Sequence, residues 1–215
     1  MSSENTPFHD PDAEIRDRLA DSVAANATFD GWTGTALAAA GRGLALPEGD
    51  AARLFPGGAT GVLEYLSSRS DRRMVEDLEV AGVAGMKVRE RIRSAVRLRL
   101  EQHAGEREAT RRALALLAMP LNAGLALKLL YRTVDAMWYA AGDTSVDFNF
   151  YTKRATLAGV YSATLLFWLN DRSEGAQATW EFLDRRLDDV MRIEKLKSQV
   201  RAWPGARTRA GATRR

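Results

Sequence analysis

The chain has 215 residues, 46% hydrophobic and 27% charged, with no cysteine, two histidines and a formal charge of +3. That length suits one large or two small domains, and the composition is that of an ordinary globular protein. Absent cysteines exclude disulfides and thiolate chemistry, and His9 and His103 are too far apart in sequence to suggest a His-based metal site or a Ser–His triad.

Charge is unevenly spread. Residues 1–55 carry nine acidic and four basic side chains, whereas residues 192–215 carry eight basic and one acidic. The first residues, MSSENTPFHDPDAE, are polar and acidic and lack the architecture of a secretion or transit signal. The longest uncharged runs, 113–127 and 155–169, fall short of the roughly 20 residues that cross a bilayer as a helix. A cytoplasmic chain with buried core helices is the expectation.

Residues 1–12 are expected to be disordered. Ile15, Leu19 and Val23, four residues apart, predict a helix over 13–26. Thr33 is placed to cap a second, Ala-rich helix that Gly41 ends, and Pro47 is placed to start a short third over 48–54. Pro56-Gly57-Gly58 stops that helix and marks the strongest unit boundary. Further helices are predicted over 60–81, 86–103 and 106–117. In the second of these, Val88, Ile92, Val96 and Leu100 form the apolar stripe, with arginines opposite. Met119-Pro120 must bend the chain or restart its helix, because proline donates no internal hydrogen bond. Helices over 121–141, 147–169 and 176–203 complete the chain.

The fold class is all-α, a helical bundle with an N-terminal three-helix unit. The segments are a disordered 1–12, a helix-turn-helix-like unit 13–58, a bundle 59–191 and a basic amphipathic extension 192–215. The three-helix unit resembles the helix-turn-helix of TetR-type regulators. A DNA reader needs cations against phosphate, and the short third helix offers Glu48, Asp50 and a single Arg53. No nucleic-acid partner is expected.

Three regions are candidates for function. Met137, Trp138, Tyr139, Phe148, Phe150 and Tyr151 flank one turn at 142–145. Either they close a helical hairpin as core, or some stand outward as partner anchors. Asp147, beside them, suits either helix capping or a partner contact. The helices over 113–130 and 155–169 are apolar on nearly every face, which places them inside a bundle. Their Leu117, Leu125, Leu157, Tyr161, Leu165 and Leu166, interleaved with small residues, suit close packing or a cavity for a long apolar ligand. The last helix ends with Lys195, Lys197, Val200, Arg201 and Trp203, a basic amphipathic pattern that suits an anionic membrane surface or a solvated helix end.

Several segments together carry a family resemblance. They are Gly31-Trp32, Leu54-Phe55-Pro56-Gly57-Gly58, Val88-Arg89-Glu90-Arg91-Ile92, the run from Ala113 to Pro120, Asp135-Ala136-Met137-Trp138, and Asp147 to Ala155. Across roughly 29–191 the chain resembles the lipid-binding accessory proteins of ubiquinone biosynthesis, the ninth Coq protein family, in a bacterial form. The resemblance implies a TetR-like fold and no enzymatic activity or cofactor of its own. It implies an isoprenoid quinone lipid held in an apolar cavity and a di-iron demethoxyubiquinone hydroxylase as partner. Met137, Phe150 and Tyr151 match the family's partner patch, with Asp147 and Lys153 as neighbours. Phe150 stands where animal members are expected to have tryptophan. The Arg-rich end replaces their longer apolar amphipathic helix, which favours peripheral attachment at the inner face of a bacterial cytoplasmic membrane. TetR-type analogy adds an expected homodimer. A ligand-sensing TetR-like regulator is the alternative, and a small enzyme using Asp143, Asp147 and Tyr151 is a weaker rival.

Overall fold

A computed structural model describes the backbone of residues 11–143 and 148–202, and the side chains of those residues except 84, 148, 149, 191 and 193–202. Its helices are α1 (Ala13–Asp30), α2 (Gly34–Gly43), α3 (Asp50–Leu54), α4 (Gly58–Val80), α5 (Val88–Glu101), α6 (Arg107–Leu117), α7 (Ala123–Ala140), α8 (Phe148–Asn170) and α9 (Gln177–Ala202). Among the described residues there is no strand, so the all-α expectation holds. Asp147, Trp203 and the tail beyond it lie outside the described residues, as do the side chains of Lys195, Lys197, Val200 and Arg201.

Two hydrophobic clusters organise the molecule. The first joins α1, α2, α3 and the start of α4 through Leu19, Val23, Leu37, Leu54, Phe55 and Val62. The second gathers α4, α5, α7, α8 and α9 around Met74, Val96, Val134, Met137, Trp168 and Leu183. α4 serves both. Its 23 residues make a rod of about 34 Å, long enough to tie the N-terminal unit to the bundle. The Trp32 indole N–H adds a clamp by donating to the Ala109 carbonyl at 2.9 Å.

Local chemistry explains most element ends. The Thr33 hydroxyl accepts from the Ala36 N–H and caps α2 as predicted. α1 runs past the predicted stop at Asn26, because Ala27 is still fully buried, and ends at Gly31 with φ of +67°. Gly41 does not end α2. A side chain there would stand 2.9 Å from the Ala51 Cβ, so this glycine lets α2 and α3 touch. α3 begins at Asp50 rather than beside Pro47, because Gly49 takes a left-handed turn with φ of +87°.

Pro120 produces the largest departure from a regular rod. A 3-10 turn over Pro120–Asn122 separates α6 from α7, and the two helices meet at 92°. The Asn122 side-chain amide donates to the Leu116 carbonyl and satisfies part of the broken ladder. The elbow is exposed: Leu121 is 96% accessible and Met119 54%. The expectation that this apolar stretch lies wholly inside the bundle is therefore overturned, because the bend carries its middle to the surface. No single helix is long and apolar enough to cross a membrane among the described residues.

Candidate functional site

Where α6 lies over the bundle it forms one wall of a cavity of about 1080 Å³ that opens to the surface. It is walled by α1, α4, α5, α6, α7 and α8, with Trp32 at its N-terminal side. That volume is at the upper end for pockets that take drug-sized molecules. Most of the lining is aliphatic: Leu114, Leu117, Ala126, Leu129, Leu130 and Leu165. Of the six predicted lipid contacts, Leu117, Tyr161, Leu165 and Leu166 line it. Leu157 does not: it is 2% exposed and packs into the main core one turn before Tyr161. Leu125, half-buried on α7, is also not part of the lining.

One wall is polar and was not anticipated. Arg99, expected on the solvent face of α5, is 94% buried there because it falls at the helical spacing of Ile92 and Val96. Its Nε donates to Asp71 Oδ1 at 2.9 Å, and the Thr133 hydroxyl donates to the same oxygen at 2.9 Å. Arg99 Nη1 lies 2.7 Å from His103 Nε2. A guanidinium only donates, so Nε2 must accept and the imidazole proton sits on Nδ1. That nitrogen faces Glu106 Oε2 at 3.8 Å. Burial, aided by the Arg99 charge, outweighs Glu106 and holds His103 below its ordinary value. The imidazole is therefore a neutral acceptor in this wall. Farther out, Arg69 bonds Asp17 at 2.7 Å and also Asp21, giving the cavity a charged rim.

The aromatic surface lies elsewhere, where α7 ends and α8 begins. Tyr139 is 73% exposed and Tyr151 67%. Phe150 is half-buried, stacks edge-on against Tyr151 at 5.1 Å, and is covered by the Arg154 guanidinium 3.3 Å from its centroid. Lys153 pairs with Asp143 at 2.7 Å and stands 5.5 Å over the Trp138 ring. Arg154 binds Asp135 at 2.6 Å and Asp143 at 3.3 Å. Asp143 is thus held between two cations, an arrangement that fixes a hairpin end rather than freeing a carboxylate for acid–base work. Met137 must be corrected. It is fully buried, because Val134, Met137 and Ala141 share the inward face of α7, so it supports the patch from beneath and cannot touch a partner. Trp138 is half-buried against the core.

Fold and cavity together define an all-α protein of TetR-like shape with a ligand-sized interior. A TetR transcriptional regulator from Nitrosomonas europaea is similar in structure, with a TM-score of 0.67 and 26% identity over 81% of this chain and 97% of that one. The COQ9 family model matches residues 123–194. The ubiquinone biosynthesis protein COQ9, mitochondrial, of Rattus norvegicus is 31% identical over 94% of this chain, and that of Homo sapiens is 30% identical over 94%. The chain spans about two thirds of these relatives, 67% of the rat protein and 65% of the human one. The Drosophila melanogaster protein of the same name is 32% identical over 86% of the chain and 58% of its own length. The chain belongs to the COQ9 family, as its motifs led us to expect.

Proposed function

We propose that this protein is a non-catalytic accessory factor of ubiquinone biosynthesis. It holds an isoprenoid quinone intermediate in the cavity and presents it to the demethoxyubiquinone hydroxylase. The carrying observation is the 1080 Å³ space with a largely aliphatic lining. A prenyl chain gains by leaving water for such a lining. The exposed pair Tyr139 and Tyr151, braced by Phe150, Lys153 and Arg154, supplies large rigid side chains of the kind that anchor partners. The basic extension 192–215 provides charge for an anionic bilayer at the inner face of a bacterial membrane, and a homodimer follows the TetR-type pattern.

The rival reading, a DNA-binding regulator, has little to work with. Arg53, the single cation of the five-residue α3, is engaged by Asp12 at 2.7 Å and by Asp50. The test of the cavity reading is organic extraction of purified protein followed by mass spectrometry, on wild type and on Leu117→Trp. Wild type should release prenylated quinone-like lipids, and the variant, with its cavity partly filled, far less. Wild-type protein free of such lipid after expression in a quinone-producing host would remove the proposal.

A further inference from the structure

The polar wall of the cavity contains one group without a use. Tyr161 is 93% buried, lines the cavity and lies in the field of Arg99 and Asp71. Among the described residues its hydroxyl has no hydrogen-bond partner. Burial pushes the phenol above its ordinary value, so it stays a neutral O–H donor. The hydroxyl is not among the fully buried polar atoms that lack a partner, and Tyr161 lines the cavity, so water or a bound ligand there can accept from it.

The neighbours narrow the acceptor's chemistry. Arg99 is balanced by Asp71, and His103 is neutral for the reasons given above. Ser67 and Ser70 reach the same wall, each already touching Arg99 or His103. The inner wall therefore offers hydroxyl groups and no net charge. Such a wall does not reward a carboxylate or phosphate, whose desolvation would go uncompensated. It suits a neutral group rich in acceptor oxygens.

We propose that Tyr161 marks the headgroup end of the cavity, where its hydroxyl donates to a carbonyl or alkoxy oxygen of a neutral ring. The tail then lies along Leu117, Leu130 and Leu165. This assignment rests on the lipid-carrier reading and adds to it an orientation and a selectivity: a neutral oxygenated ring over a charged lipid headgroup.

The experiment compares wild type with Tyr161→Phe, by displacement of a cavity-bound environment-sensitive dye. The probes are a dimethoxybenzoquinone with a ten-carbon tail, squalene as a ringless prenyl hydrocarbon, and oleate. Loss of one buried hydrogen bond should weaken the quinone about tenfold and leave squalene unchanged, with oleate the poorest ligand of wild type. The unliganded variant should melt at or above wild type, since it loses an unused donor. Equal quinone affinity in both proteins, or a variant melting well below wild type, overturns the headgroup assignment while squalene binding keeps the carrier reading. Wild type that binds none of the three probes overturns the carrier reading itself.

Discussion

The buried pair Asp71–Arg99 offers the sharpest test of the polar wall. Asp71→Ala removes the acceptor for Arg99 Nε at 2.9 Å and for the Thr133 hydroxyl at 2.9 and 3.1 Å. The two side chains are 10% and 8% exposed, so the stranded guanidinium cannot simply turn to solvent. Removing one partner of such a pair costs about 3–5 kcal/mol. In a chain of this size that lowers Tm by about 6–20 °C, and it takes about a fifth or more of an ordinary domain's stability. The companion Asp71→Ala/Arg99→Met removes both charges and should recover at least half of the loss. Urea unfolding followed by circular dichroism at neutral pH measures both. A loss below about 1 kcal/mol for Asp71→Ala would mean that water in the cavity already solvates Arg99. The wall would then be wet, and the reasoning about a desolvated, uncharged headgroup site would fail.

Tyr151→Ala should leave the melting temperature near wild type and weaken binding to the hydroxylase by about 2 kcal/mol, roughly thirtyfold in Kd. Met137→Ala should do the reverse, costing about 2–5 kcal/mol of stability; a thermally intact Met137→Ala that fails only in docking would restore Met137 to the surface patch. Asp171 accepts from the Ser173 and Thr179 N–H groups, each at 2.8 Å, and from both hydroxyls. Burial pushes its carboxyl up, but these bonds win and hold it at about 2 against 3.8 when unfolded. Its contribution is therefore complete above pH 3.8 and fades as pH falls toward 2. Guanidinium midpoints of wild type and Asp171→Asn should converge over that window, and parallel curves would contradict the assignment. Deleting residues 192–215 should reduce sedimentation with anionic vesicles at low salt and change little with neutral ones; equal binding by both forms would acquit the tail.

What could be read in advance follows from how local each signal is. The Thr33 cap, the break at Met119-Pro120 and the inward faces of α5 and α9 are set by neighbours within a turn or two. The cap and the break appear as expected; on α5 Ile92, Val96 and Leu100 are buried, but Val88 at the start of the stripe is 50% exposed, and on α9 Trp180, Leu183 and Leu187 are buried. Arg99 departs from the expected solvent face because its spacing, not its charge, sets its side of the helix. Ile92, Val96, Arg99 and His103 recur at helical intervals, so the apolar stripe itself carries the arginine inward. Its partners, Asp71 and Thr133, sit 28 and 62 residues away along the chain from the groups they meet. No local pattern announces such a contact. Met137 lies within the motif, yet its periodicity with Val134 and Ala141 places it in the core. Leu157 likewise follows the core face of α8 rather than the cavity face.

The 1080 Å³ pocket opens to the surface, so water or a ligand can occupy it. Water can occupy the polar wall, where His103, Ser70 and Tyr161 offer partners. It is poorly served among Leu117, Leu129, Leu130 and Leu165, which offer none. An amphiphile with an oxygenated head and a long apolar tail meets both walls at once. The exposed Met119 and Leu121 follow the lining residues Leu117 and Ala118 along the chain, which puts apolar side chains beside the aliphatic part of the lining. Pro120 is the common cause of both features: the bend that it imposes lays α6 across the bundle and leaves the apolar corner outside.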